Sequence, residues 1–134
     1  MKVVVDTNIL FSSLLSEQSA LRDILLERDY EFFAPNYLFV ELFRYKDKIQ
    51  KYGKLEDEEL YEFLHAITER IHFVKLELIS VSNRQQAYDL CKDVDIKDTV
   101  FVALCLELGA VLWTGDKKLK KHLTQKGFTK IFEH

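Results

Sequence analysis

The chain has 134 residues, 48% of them hydrophobic, enough for one globular unit with a single sizeable core. Ten Phe, six Tyr and one Trp supply bulky core side chains, while four Gly and one Pro exclude a low-complexity or linker-rich protein. The net charge of −3 neither favours nor excludes a nucleic-acid partner, because it is segregated along the chain: residues 55–64 are heavily acidic, and 115–134 carries Lys117, Lys118, Lys120, Lys121, Lys126 and Lys130 against Asp116 and Glu133.

The first element is a run of three valines, Val3-Val4-Val5, the β-branched apolar pattern of a strand buried on both faces of a parallel sheet. It stops at Asp6-Thr7-Asn8, residues suited to a turn or a helix cap. Ile9, Leu10, Leu14 and Leu15 then form a helical stripe. Ala20-Leu21, Ile24-Leu25 and Arg28 indicate a second helix starting near Ser16 or Glu17. Glu31–Ala34 reads as a second strand stopped by Pro35. Asn36 is positioned to cap a helix whose apolar residues Leu38, Val40, Leu42 and Phe43 run toward Ile49, with Gly53 ending it.

Residues 55–71 predict a helix with an acidic first turn and an apolar face of Leu60, Phe63, Leu64, Ile67 and Ile71. The helices of 36–71 therefore read as a helical-hairpin insertion between strands. His72–Leu76 is a candidate strand, and Ser82 or Asn83 opens a helix carrying Ala87, Leu90 and Cys91. A polar loop, Asp93-Val94-Asp95-Ile96-Lys97-Asp98, leads into the apolar helix 99–108, ended by Gly109. Val111-Leu112-Trp113 is a short buried strand broken by Thr114-Gly115-Asp116, and a basic amphipathic helix follows, stopped at Gly127. Lys130–Phe132 is a candidate edge strand. Short apolar strands alternating with helices predict an α/β fold with a mainly parallel sheet, and with no internal repeat or boundary, residues 1–134 are expected to form one domain.

Cys91 and Cys105 lack CxxC or zinc-site spacing and sit in apolar helical stretches, which predicts buried, reduced thiols. No room for a signal peptide precedes Asp6 and no apolar run reaches membrane-spanning length, so the expected location is the cytoplasm.

Phosphate-cradling GxGxxG and P-loop motifs are absent, as is the GxSxG nucleophile elbow, and the four histidines are scattered through ordinary helix, strand and tail positions. Carboxylates remain. Asp6 and Asp116 each follow an apolar strand and precede a helix, so in a parallel sheet both open onto the carboxyl edge where ligands bind. Asp98 opens the apolar helix 99–108, and Glu41 lies between Phe39-Val40 and Leu42-Phe43. Each of the three aspartates is also explicable as a helix cap, and Glu41 as a residue at an exposed edge. If the acids converge, their mutual repulsion calls for a hard divalent cation with oxygen ligands, Mg²⁺ or Mn²⁺. Such ions assist phosphodiester chemistry.

The segments VVVDTNIL, Glu41 within FVELFR, DIKDTVFVALCLELGA and VLWTGDKKL, in this order, resemble the PIN-domain family. The resemblance runs from end to end of the chain. It implies a compact three-layer α/β/α sandwich and a metal-dependent ribonuclease cleaving single-stranded RNA; many such domains are the VapC-like toxin half of prokaryotic toxin–antitoxin pairs. By resemblance the catalytic and metal-binding acids are Asp6, Glu41, Asp98 and Asp116, with Asp95 in reserve for Asp98 and Asp93 solvated. Thr7, Asn8 and Thr114 would orient carboxylates or water, and Arg44, Lys117, Lys118 and Lys121 would contact the RNA backbone. A cognate antitoxin and, from the apolar-faced helix pair, a homodimer are the expected partners. A haloacid-dehalogenase phosphatase requires Asp where Asn8 stands, and a receiver domain requires an acidic pair after its first strand. A PIN-like scaffold that binds RNA or protein without cleaving is the main alternative, and activity only on structured RNA or DNA is a further one.

Overall fold

The computed structural model describes residues 1–15, 20–27 and 29–133. Four strands, β1 (Lys2–Val5), β2 (Glu31–Pro35), β3 (Ile71–Val74) and β4 (Val111–Trp113), form a sheet in the order β3-β2-β1-β4, and every pairing is parallel. Val3, Val4 and Val5 are wholly buried, as a β-branched run in an inner parallel strand must be. Eight helices flank this sheet in an α/β/α arrangement among the described residues: α1 (Thr7–Leu15), α2 (Ala20–Leu25), α3 (Tyr37–Arg44), α4 (Lys46–Gly53), α5 (Asp57–Arg70), α6 (Val81–Cys91), α7 (Thr99–Leu108) and α8 (Lys117–Gln125). The most apolar of them, α7, buries Phe101 through Cys105 and packs against β1 and β2.

The middle of the chain departs from the expected hairpin. Three helices, not two, lie between β2 and β3, because the helix expected to run from Asn36 to Gly53 breaks at Tyr45 (φ −103°, ψ 16°). Only Leu38 and Leu42 of α3 are buried, leaving Phe39, Val40 and Phe43 exposed, and the break redirects α4 against α1. Gly53 ends α4 as its last residue, where a Cβ would meet the Leu14 carbonyl oxygen at 3.0 Å. The left-handed turn after it falls on Lys54, at φ 55°, not on the glycine. A side chain in that left-handed conformation costs about 1 kcal/mol, so Lys54→Gly is expected to raise the urea midpoint, by up to about 1 kcal/mol of stability.

Smaller differences have local causes. Pro35 is the last paired residue of β2, while Ile71 starts β3 instead of finishing the preceding helix. Leu15, expected in the buried stripe, is 40% exposed. Asn36 occupies the cap position of α3 without a side-chain cap hydrogen bond. Helix α6 begins at Val81, one or two residues before the expected Ser82 or Asn83, because Ser80 Oγ accepts the Asn83 amide at 3.2 Å. Lys130–Phe132 forms a single parallel bridge, Leu112 to Ile131, instead of a strand. The expected start of α2 at Ser16 or Glu17, its Arg28 and the tail His134 lie outside the described residues. Both cysteines are buried and unpaired, and burial pushes the Cys91 thiol up to about 11, which removes it as a nucleophile. Among the described residues no helix is long and apolar enough to cross a membrane.

Candidate active site at the carboxyl edge of the sheet

The register of β1 and β4 pairs Val5 with Trp113, so the next residues, Asp6 and Thr114, leave the sheet side by side. The Asp6 amide donates to the Trp113 carbonyl at 3.2 Å, which ties the end of β1 to the end of β4. Asp6 is only 5% exposed and accepts the Ile9 amide through Oδ1 at 2.9 Å, capping α1. Burial raises its pKa, opposed by a hydrogen bond from Thr114 and by backbone amides of Ile9 and Asn8; the Asp116 charge adds to the rise. Thr114, 2% exposed, also accepts the Asp116 amide at 3.1 Å. One buried hydroxyl thus joins the two strand-end acids.

Cap and site are not exclusive readings for these two. Asp116 caps α8 through Oδ1, which accepts the Leu119 amide at 3.0 Å, and each acid uses one carboxylate oxygen for its cap. Asp98 is different. It stands at the N-cap position of α7 yet makes no side-chain cap hydrogen bond, so capping does not account for it. It is half-buried, and its pKa rises to about 6 through burial first, then through the charges of Asp95, Asp6 and Asp116. Asp98 thus keeps a carboxylate near like charges without a cap to make.

A pocket of about 420 Å³ opens at this edge, with Asp6, Glu41 and Asp98 in its walls alongside Thr7 and Asn8. Glu41 reaches it from α3, half-buried on a helix whose opposite residues, Phe39 and Phe43, are exposed. Asp95 lines the pocket too, with Oδ1 accepting the Lys97 amide at 2.9 Å. Asp116 is exposed and stands outside the lining, felt at Asp6 and Asp98 through its charge. Arg44, Lys117, Lys118 and Lys121 are exposed and do not line the pocket, although α8 starts at Asp116 on the same edge. Asp93 is drawn away to Lys126, 2.9 Å distant.

Three lining residues escaped the sequence reading: Tyr37, Lys97 and Phe101. Tyr37 was legible in principle, four residues before Glu41 and hence on the same helix face. Burial, with the charges of Glu41 and Asp98, pushes its phenol up to about 12, so it remains a neutral donor inside an acidic pocket. Lys97 is the one cation in the lining among the described residues.

The family model for the PIN domain matches residues 4–128. The chain belongs to the PIN-domain family. No curated protein matches it significantly. PIN domains are generally nucleases that act on nucleic acid and typically use divalent metal ions. In this PIN domain, no group of three or more His, Cys, Asp or Glu side chains is placed to hold a metal ion among the described residues. The donor set nonetheless fits a small hard cation. Mg²⁺ usually keeps several waters and needs only one or two carboxylates plus substrate phosphate. Asp6 and Asp98 share one pocket, and each has its pKa raised by burial and neighbouring acids, a repulsion that a divalent cation relieves.

Proposed function

We propose that this PIN domain is a metal-dependent endoribonuclease that hydrolyses phosphodiester bonds of single-stranded RNA. The observation carrying the reading is Asp98, a half-buried, uncapped acid beside Asp6, with its pKa raised to about 6. Asp6 and Asp98 would hold Mg²⁺ or Mn²⁺, with Glu41 and Asp116 completing the acidic edge through water. When bound, the ion neutralises charge on the phosphodiester and makes water a stronger nucleophile at neutral pH.

The chain's own residues supply the rest. Thr114 fixes the Asp6 carboxylate by hydrogen bonding, and Thr7 and Asn8 frame the same pocket at the start of α1. The Tyr37 hydroxyl is a donor for a phosphate or leaving oxygen. Lys97 offsets negative charge in the pocket, and Arg44, Lys117, Lys118 and Lys121 attract the RNA backbone from outside it. As the toxin of a toxin–antitoxin pair, the protein would work in the cytoplasm and be silenced by a cognate antitoxin. The exposed Phe39, Val40 and Phe43 of α3 support a homodimer as the resting assembly.

Purified protein with Mn²⁺ or Mg²⁺ is expected to cleave a single-stranded RNA, and Asp6→Asn to lose that cleavage. Mn²⁺ is also expected to raise the wild-type melting temperature and to leave Asp6→Asn unshifted. Cleavage that survives a chelator, or an equal thermal gain in both proteins, overturns the metal site. Binding of RNA without cleavage would favour the silent scaffold.

A further inference from the structure

A second depression, about 600 Å³, adjoins the carboxylate pocket and shares Thr7 and Glu41 with it. Its other walls come from α1 and α4 and include three aromatic rings, Phe11, Tyr45 and Tyr52, together with Lys48. Tyr45 is the residue at the α3–α4 break, so the same kink that turns α4 onto α1 sets its ring in the groove. Phe11 meets Tyr45 edge to face, with centroids 6.2 Å apart at 74°. Tyr45 and Tyr52 are 44% and 59% exposed, so both rings can be reached from solvent. Along residues 44–54 the sequence carries Arg44, Lys46, Lys48, Lys51 and Lys54 against one acid, Asp47, and Lys48 is the member of this run that lines the groove, together with Glu41.

We infer that this groove is a nucleobase subsite, taking an unpaired base next to the phosphate that sits at the carboxylates. The inference rests on the nuclease reading and adds the substrate feature it selects. A nucleotide is the ligand that presents a phosphodiester and a flat aromatic face a short step apart. Stacking on protein rings tolerates any base but requires an open base face, which a duplex does not offer, so the groove makes the enzyme specific for single strands. Lys48 in the groove wall meets a phosphate beside the stacked base, offsetting part of the repulsion that the acidic pocket exerts on RNA.

The test is direct binding, measured without cleavage. Wild-type, Tyr45→Ala, Tyr45→Phe and Tyr52→Ala proteins are titrated in chelator with a short single-stranded RNA carrying a fluorescent base analogue, and with an abasic strand of equal length. Wild type is expected to bind the base-bearing strand more tightly and to quench the analogue. Tyr45→Ala and Tyr52→Ala are each expected to weaken that binding by about 5- to 150-fold. The abasic strand should bind all four proteins equally, and Tyr45→Phe should match wild type. Equal affinity for both strands in wild type and variants overturns the subsite while leaving metal-dependent cleavage standing. Absence of both binding and metal-dependent cleavage overturns the nuclease reading and the subsite with it. A change of oligomeric state in Tyr45→Ala, with RNA affinity unchanged, assigns the groove to a second copy of the chain and overturns the subsite alone.

Discussion

Asp98→Asn is expected to lower metal-dependent cleavage by on the order of 10³-fold while making the metal-free protein more stable at neutral pH. The two effects have one cause. The Asp98 carboxyl titrates near 6 in the folded chain against an ordinary value of 3.8, because burial and the charges of Asp95, Asp6 and Asp116 disfavour its ionised form. Between those two pH values the native state holds a proton that the unfolded chain has lost. Stability conferred by this group is therefore present at low pH and falls as pH rises from about 4 to about 6, staying low above that. Asn carries no charge and removes that loss. With half of the side chain open to solvent, screening reduces the gain to about 1 kcal/mol, or roughly 4 °C in melting temperature for a chain of this size. Thermal unfolding of both proteins in chelator at pH 5 and pH 7 checks it: the wild type should lose stability between the two, the variant much less. A variant less stable than wild type at pH 7 would show that the carboxylate is structural. The same titration predicts that the metal binds more weakly as pH falls below about 6, where protons compete with it for Asp98.

Trp113→Ala carries the largest expected loss of stability, about 3–5 kcal/mol out of a total of roughly 5–15. Trp113 is wholly buried in β4, 5.8 Å from the Phe32 ring and 5.3 Å from Phe132, which in turn meets Tyr30 at 5.1 Å. The cavity would sit beneath the register that sets Asp6 beside Thr114. Cleavage should accordingly fall further than the folded fraction alone accounts for. Because Trp113 is the only tryptophan, unfolding in urea is best followed by circular dichroism. A variant within 1 kcal/mol of wild type, as judged against the cavity cost, would mean that the neighbouring rings collapse to fill the space.

Strand-end acids were readable because two periodicities meet at them. An apolar β run ending in Asp6 or Asp116 marks a strand's carboxyl end whatever the partner strands are, and the following helix confirms the direction of the chain. Helix 99–108 and strand 111–113 coincide with α7 and β4 for the same reason: each is continuous, apolar and closed by a glycine or a polar turn. The αα region was misread because apolar residues continue through Phe43 and resume at Ile49 without a break in pattern. Nothing in that local pattern shows that Tyr45 leaves the helical conformation, since α4 turns there to pack against α1, with Gly53 meeting the Leu14 backbone. Tyr37 and Lys97 were missed because ordinary residue types acquire a role only from what faces them.

By itself the sequence determined the α/β alternation, the buried Val3–Val5 strand and the identity of the acids, since strand and helix patterning are properties of consecutive residues. It also carried the family, now shown by the match over residues 4–128. Tertiary structure decided which acids meet: parallel register places Asp6 against Thr114, α3 swings Glu41 into the pocket, and Asp98 is left uncapped there while Asp116 stays at the rim. It alone revealed the aromatic groove beside them, because Phe11 lies far along the chain from Tyr45 and Tyr52 and meets them only when the helix break folds α4 back on α1.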